Sequence, residues 1–412
     1  MSGFFASRWV DRPGDVTELV GGLPKGFRAA GVACGIKPGG ASDLALLVCD
    51  APRCTSAARF TRSGTLAAPV LLNTRRCRLD ALRTVVVNSG NANAATGAQG
   101  LEHAARMGEA AASACGVGAD AVAVASTGVI GVPLPIDAVT EGIAAAATQL
   151  RDDGEQDFAQ AICTTDAFPK RACLDVALEG GTVRLTAQAK GAGMIAPGFA
   201  TLLAFVQTDA LLSPDTCQLL LGVTVRRSFE RISVDGQLSP SDTVILQSSG
   251  ESGVEVTPET ADELLFGESL DALLRQLALL VVRDGEGARR IGRVLVRGGD
   301  GDAVDRVARA VAGSSLVKTA LYGGDPNWGR IVQAVGMAMP GSGSLAVDIA
   351  IEGIPVCAGG ALVPHDAGVL AAAVAREEVQ YEIDLPGEGV EAELFFSDLG
   401  HEYVTINAGY TT

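Results

Sequence analysis

Histidine is scarce, three in 412 residues, and none of the three has an H-E-x-x-H or other zinc spacing. A hydrolase or transferase made from this chain must work without a His-based triad, and no metal site is expected. The G-x-S-x-G elbow and the P-loop are missing as well. C-x-x-C occurs nowhere among nine scattered cysteines, so neither a disulfide framework nor a zinc ribbon is indicated. A reducing cytoplasm is the simplest setting. Aromatic residues are only 4% of the chain, which leaves the core to small aliphatic side chains. Positive charge is in deficit, with 32 Lys and Arg against 48 Asp and Glu. The net charge of −16 argues against a general affinity for nucleic acid or anionic membrane. No apolar run approaches the ~18 residues a membrane span needs. The opening, MSGFFASRWVDRPGD, lacks the apolar core of a signal peptide.

What is present is a mixture of strand and helix signals with no dividing linker. It predicts an α/β or α+β fold of layered mixed sheets, with two subdomains or more. Residues 20–75 read as short strands and turns. Helices are expected near 136–150, from about 258, at 302–313 and at 367–377. Strands are expected near 379–384, 391–398 and 402–407.

The stretch TVRLTAQAKGAGMIAPGFATLLAFVQTDA, residues 182–210, stands out. Two β-type runs flank a loop holding Lys190, Gly191, Gly193, Pro197, Gly198 and Ala200, and the second run opens on Thr201. Small neighbours admit a close backbone approach to that hydroxyl. The plain alternative is an ordinary turn before a strand that begins with Thr. Gly191-x-Gly193-x-x-Ala196 superficially matches a dinucleotide fingerprint. That fingerprint needs a helix to start at the glycines, and Pro197-Gly198 followed by a strand pattern rejects it.

Elsewhere TVVVNSGNANAATG carries Asn88, Asn91 and Asn93 at a strand end. Turn chemistry and a polar pocket wall explain them equally well. AVAVASTGVIG ends a strand in Ser126-Thr127-Gly128. A hydroxyl beside a glycine N–H can supply two donors to one oxygen, although an ordinary strand-to-helix turn is the commoner use. Glu286, between glycines in RDGEG, reads first as a solvated loop acid. His103 and His365 read as surface residues. A Thr nucleophile needs no histidine if it becomes a chain N-terminus, because its α-amino group titrates near 8 and is its own base. That logic demands cleavage just before Thr201.

Several segments together resemble one family. NSGNANAATG, ASTGVIG, TTDAFPK, KGAGMIAPGFATLLAF, VDGQLSPSDT, RDGEG, LVKTALYGGDPNWGR and EYVTINAGYTT run in order from residue 88 to the C-terminus. They are similar to the ornithine acetyltransferases, the glutamate N-acetyltransferase family of arginine biosynthesis. The resemblance implies cleavage between Ala200 and Thr201, giving an α chain (1–200) and a β chain (201–412) assembled as α2β2. It implies mixed sheets like those of N-terminal-nucleophile hydrolases, with a distinct topology. Thr201 then corresponds to the nucleophile and Thr127 with Gly128 to the oxyanion-hole pair. Thr164, Lys190, Glu286, Asn407 and Thr412 correspond to substrate-binding positions. N-acetylornithine and glutamate would be the substrates, with no resident cofactor and acetyl-CoA a further acetyl donor. Ala95, Gly324 and the pair Gly198-Phe199 depart from the family's usual residues. The same architecture also suits a self-processed aminopeptidase or amidohydrolase, or a non-catalytic amino-acid-binding relative.

Overall fold

The structure is a computed structural model that describes residues 3–197 and 202–409. The expectations for Gly198, Phe199, Ala200, Thr201 and Thr412 lie outside those residues.

Period-two alternation decides the layering. In the strand Leu203–Thr208, Leu203 and Phe205 turn one way, into a core with Phe27, Leu47, Val85 and Phe158. Ala204 and Val206 turn the other way, against Leu273 and Leu277 of the helix Ala261–Arg283. This strand lies inside a six-stranded sheet ordered Val16–Glu18, Lys170–Leu178, Gly181–Lys190, Leu203–Thr208, Thr243–Ser248, Thr55–Phe60. Only its Leu203–Thr208 and Thr243–Ser248 pair is parallel.

A four-stranded sheet packs on one face of it, ordered Phe27–Val32, Leu44–Cys49, Thr84–Asn91, Val122–Val129. The far face of the smaller sheet buries Leu46, Val86 and Val124 against Leu72, Met107, Val139 and Ile143. Those four come from the helices Ala68–Arg76, Gly97–Cys115 and Ile136–Ala147. The result is helix, sheet, sheet, helix. The expected layered mixed-sheet class is what forms.

A seven-stranded sheet made of later residues is built around Ile291–Arg297, Glu378–Asp384 and Glu391–Ser397. One face buries Val294, Val296, Val379 and Leu394 against the helices Gly301–Gly313 and Trp328–Ala338. Ile291 and Phe395 instead join the core under Ala261–Arg283, which fuses this sheet to the sandwich. No helix of the described residues is long and apolar enough to cross a membrane.

Three expectations need correction. Residues 402–407 are not a strand but part of the helix His401–Gly409. Residues 68–76, inside the region read as strands and turns, form a helix with a proline in its first turn, where the missing N–H costs nothing. His103 is buried, because its face of the helix Gly97–Cys115 packs inward. The rejected dinucleotide reading stays rejected: among the described residues no helix starts between Gly191 and Pro197, and the chain re-enters the sheet at Leu203.

Candidate active site

The antiparallel register sets Lys190 opposite Leu203, so the two strands flanking the Gly-rich loop meet at one end of the sheet. The parallel strands of the smaller sheet end beside them, at Gly90 and Gly128. There Lys190 Nζ donates to Thr127 Oγ1 at 3.0 Å. Both residues are buried, and among the described residues no carboxylate lies within ion-pair distance of Lys190. Burial pushes the Lys190 ammonium down from its usual range, against the pull of Asp166. A buried cation with one neutral partner is an unsatisfied charge waiting for an anion.

Gly128 has φ +130°, a conformation closed to ordinary side chains. A Cβ there would fall 2.3 Å from the Gly90 carbonyl carbon and 2.6 Å from Asn91 N. Both contacts are backbone and cannot swing away. Gly128→Ala is expected to lower stability by about 3 kcal/mol or more. Chemical denaturation measures it, and an unchanged midpoint would refute this close packing.

The cavity at this sheet end measures about 230 Å³ and is lined by Thr127, Gly128, Thr164, Lys190, Glu286 and Asn407. All six were candidates from the sequence, and the fold brings them together from five separate segments. Thr165, Gly193, Met194, Asp235, Gln237 and Tyr403 line it too and were missed. Glu286 is therefore a cavity residue, not a solvated loop acid. Its Oε2 accepts from Asn407 Nδ2 at 2.6 Å. Gly193 leaves it room, since a Cβ there would stand 2.9 Å from Glu286 Oε1. Asp235 accepts the N–H groups of Met194 at 2.7 Å and Ile195 at 2.9 Å, fixing the loop between the two strands. Nothing in the local sequence distinguishes Asp235 from a turn residue in VDGQ.

A buried ion cluster ties three of the segments together. Lys170 Nζ sits 2.6 Å from both Asp166 Oδ1 and Asp284 Oδ2. Asp166 also accepts from Thr164 N at 2.9 Å and Gly191 N at 2.7 Å. Burial alone would raise its pKa, but Lys170 and Lys190 hold it down at about 2. That contribution to stability is complete above the ordinary carboxylate range near 4 and is lost as pH falls towards 2. Lys170→Met strands two buried carboxylates and is expected to cost about 3–5 kcal/mol at neutral pH. The penalty should shrink as Asp166 protonates between about pH 4 and 2, which melting curves across that range would check. An equal penalty at pH 7 and near pH 2 would contradict the assignment.

The asparagines settle as structural hydrogen-bonders, to backbone nearby and across the neighbouring segment. Asn88 Nδ2 donates to Asn91 O at 2.8 Å, Asn91 Nδ2 to Val132 O at 3.0 Å, and Asn93 Nδ2 to Gly100 O at 2.9 Å. None lines the cavity. A larger groove of about 930 Å³ runs between the helices Pro214–Arg227 and Ala261–Arg283. Its arginines are already engaged, Arg227 with Asp271, Arg275 with Glu393 and Arg12 with the Val16 carbonyl, so the smaller cavity with its buried lysine is the better site. Among the described residues no group of three or more His, Cys, Asp or Glu could hold a metal.

Residues 28–412 match the ArgJ family. The chain belongs to that family. It is 42% identical over 401 residues to the arginine biosynthesis bifunctional protein ArgJ of Symbiobacterium thermophilum, covering 96% of this chain and 99% of that one. The same-named protein of Rhodopirellula baltica is 44% identical over 398 residues, covering 95% of this chain and 96% of that one. Among solved structures, ornithine acetyltransferase complexed with ornithine from Mycobacterium tuberculosis is 39% identical, with a TM-score of 0.41. That match covers 46% of this chain and 100% of the solved one. Membership makes this ArgJ-family chain an acyltransferase of arginine biosynthesis.

Proposed function

We propose that this ArgJ-family chain transfers the acetyl group of N-acetylornithine to glutamate through an acetyl-Thr201 intermediate, after cleaving itself between Ala200 and Thr201. The observation that supports this best is the Lys190–Thr127 contact. Thr127 Oγ1 accepts from Lys190 Nζ. Its own hydroxyl proton is therefore free to be given to another oxygen. With the Gly128 N–H beside it, that proton is placed to stabilise the negative oxygen of a tetrahedral intermediate.

In the first half-reaction Thr201 Oγ attacks the acetyl carbonyl and its proton passes to the freed α-amino group. The C–N bond breaks, ornithine leaves with that proton, and an ester remains on Thr201. In the second half the amine of glutamate attacks the ester, and the hydroxyl is restored as N-acetylglutamate departs. The Lys190 ammonium suits a substrate carboxylate, and Glu286 with Asn407 suits an ammonium. Thr164 and Thr412 complete the proposed substrate contacts. Acetyl-CoA is a further proposed donor. The two cleavage products are proposed to assemble as α2β2, in the cytoplasm, without a resident cofactor.

The test is a pulse of N-acetylornithine without glutamate. A burst of ornithine, and a fragment beginning at Thr201 that is heavier by one acetyl group, are expected. Added glutamate should discharge it. Continuous acetate release without glutamate would make the enzyme an amidohydrolase, and no burst from a cleaved protein would refute the ester. Substituting acetyl-CoA for N-acetylornithine in the same assay tests the second donor.

A further inference from the structure

At the Thr55–Phe60 edge of the six-stranded sheet, Ala57 and Arg59 turn away from the smaller sheet and towards the helix Pro214–Arg227. A polar cavity of about 280 Å³ opens between that strand and that helix. Arg59, Arg62 and Arg226 line it, with Glu230 as its one acid. Three cations against one anion leave +2, on a chain whose total is −16. The pocket shares no lining residue with the cavity at Lys190. Arg62 pairs with Glu230 at 3.3 Å. Arg59, half-buried, and Arg226, exposed, have neither an ion pair nor a side-chain hydrogen bond among the described residues. Arg171 and Arg184, half-buried on the same sheet, hold Glu155 and Asp175. The helix makes room for the Arg59 fork at Gly222, a position inside the helix where alanine would be the more stable residue. A Cβ there would stand 2.4 Å from Arg59 Nη2 and push the guanidinium away. A half-buried guanidinium without an acceptor is partly desolvated and uncompensated, which is the state an anion relieves.

We propose that this pocket binds a phosphate-bearing small molecule, with Arg59 as the fork that grips the phosphate and Arg62 and Arg226 as its rim. A guanidinium presents paired N–H groups at the spacing of phosphate oxygens. A phosphomonoester carries about −1.5 to −2 at neutral pH, which matches the charge of the pocket. A lone carboxylate would neutralise only half of it, and a cationic ligand is repelled. Two sources have this chemistry: coenzyme A, whose acetyl thioester is the further donor proposed above, and a free phosphorylated metabolite. The site itself rests on neither the cleavage nor the transfer proposed above. Register puts it near the site of chemistry, since Phe60 pairs with Thr243 and Thr243 with Leu203. Two strand spacings, about 10 Å, therefore separate the pocket's strand from the one that follows the Gly-rich loop.

The experiment is isothermal titration calorimetry of the full protein with pyrophosphate, at an ionic strength held constant with chloride. The wild type is expected to bind one pyrophosphate per copy of the chain. Arg59→Met keeps an unbranched stem against Gly222 and removes the charge. It is expected to weaken binding about 10-fold or more, and Arg62→Met and Arg226→Met about 2- to 5-fold each. Without ligand, Arg59→Met should melt no lower than the wild type, because an uncompensated charge has gone, and its transfer from N-acetylornithine should be unchanged. Coenzyme A that displaces pyrophosphate, with a KM for acetyl-CoA raised about 10-fold in Arg59→Met, identifies the donor as the source. Pyrophosphate binding that coenzyme A leaves untouched identifies a free phosphorylated metabolite. No saturable binding to the wild type, or equal binding by Arg59→Met, overturns the site. If the wild type binds none and Arg59→Met changes its assembly mass, the pocket is a contact between copies, which overturns the site as well.

Discussion

Thr201→Ala is expected to yield one uncleaved chain with no measurable transfer, a loss of roughly 10⁴-fold or more in kcat. Two functions fall together. Without the hydroxyl the Ala200 carbonyl has no internal attacker, so the peptide bond stays intact. Without cleavage there is no free α-amino group, and among the described residues no histidine lines the cavity to replace it. Thr201→Ser keeps a hydroxyl and is expected to cleave and to turn over at a reduced rate. A denaturing gel and intact mass, wild type beside both variants, decide the matter. Cleavage of the Ala variant would place the nucleophile elsewhere, and a single-chain wild type with full activity would remove the amine from the mechanism.

Thr127→Val is the second large effect. Valine has the volume of threonine but neither donates a proton nor accepts one. The oxyanion loses a donor, which is expected to cost about 10²–10³-fold in kcat, with much less change in KM. Lys190 simultaneously loses its one hydrogen-bond partner among the described residues, in a buried place where desolvation already disfavours its charge. The variant is therefore expected to bind a substrate carboxylate less well at high pH, where the lysine gives up its proton sooner. Thr127→Ser restores both contacts and should recover most of the rate. Steady-state kinetics at two pH values separate these effects. A Val variant within about threefold of wild type would rule Thr127 out as an oxyanion donor.

Much of this was legible in the chain itself. Runs rich in apolar and β-branched residues located the strands that frame the central loop, because a strand buried on both faces leaves little choice of residue. Glycines marked the sharp points of the site, since at φ +130° only glycine lets two strand ends approach as Gly90 and Gly128 do. The histidine shortage pointed towards a nucleophile that carries its own base. The helix His401–Gly409 was misread because Tyr403, Thr405 and Asn407 alternate with Val404 and Ile406 as a strand would. Its residues are mostly exposed and none is buried, so no apolar stripe marks a helical face. In the helix Tyr403 and Asn407 are four residues apart, one turn, and both reach the cavity.

By itself, then, the sequence determined the layered class and the small-residue loop that follows Lys190, both consequences of local pattern and side-chain size. Only the tertiary structure decided that Lys190 meets Thr127 across 63 residues, that Lys170 clamps Asp166 to Asp284, and that Asp235 and Tyr403 line the cavity. Those pairings depend on sheet register and on which charges burial leaves without water. No local pattern encodes that, because an acid in a loop reads as solvated until the fold shows what covers it.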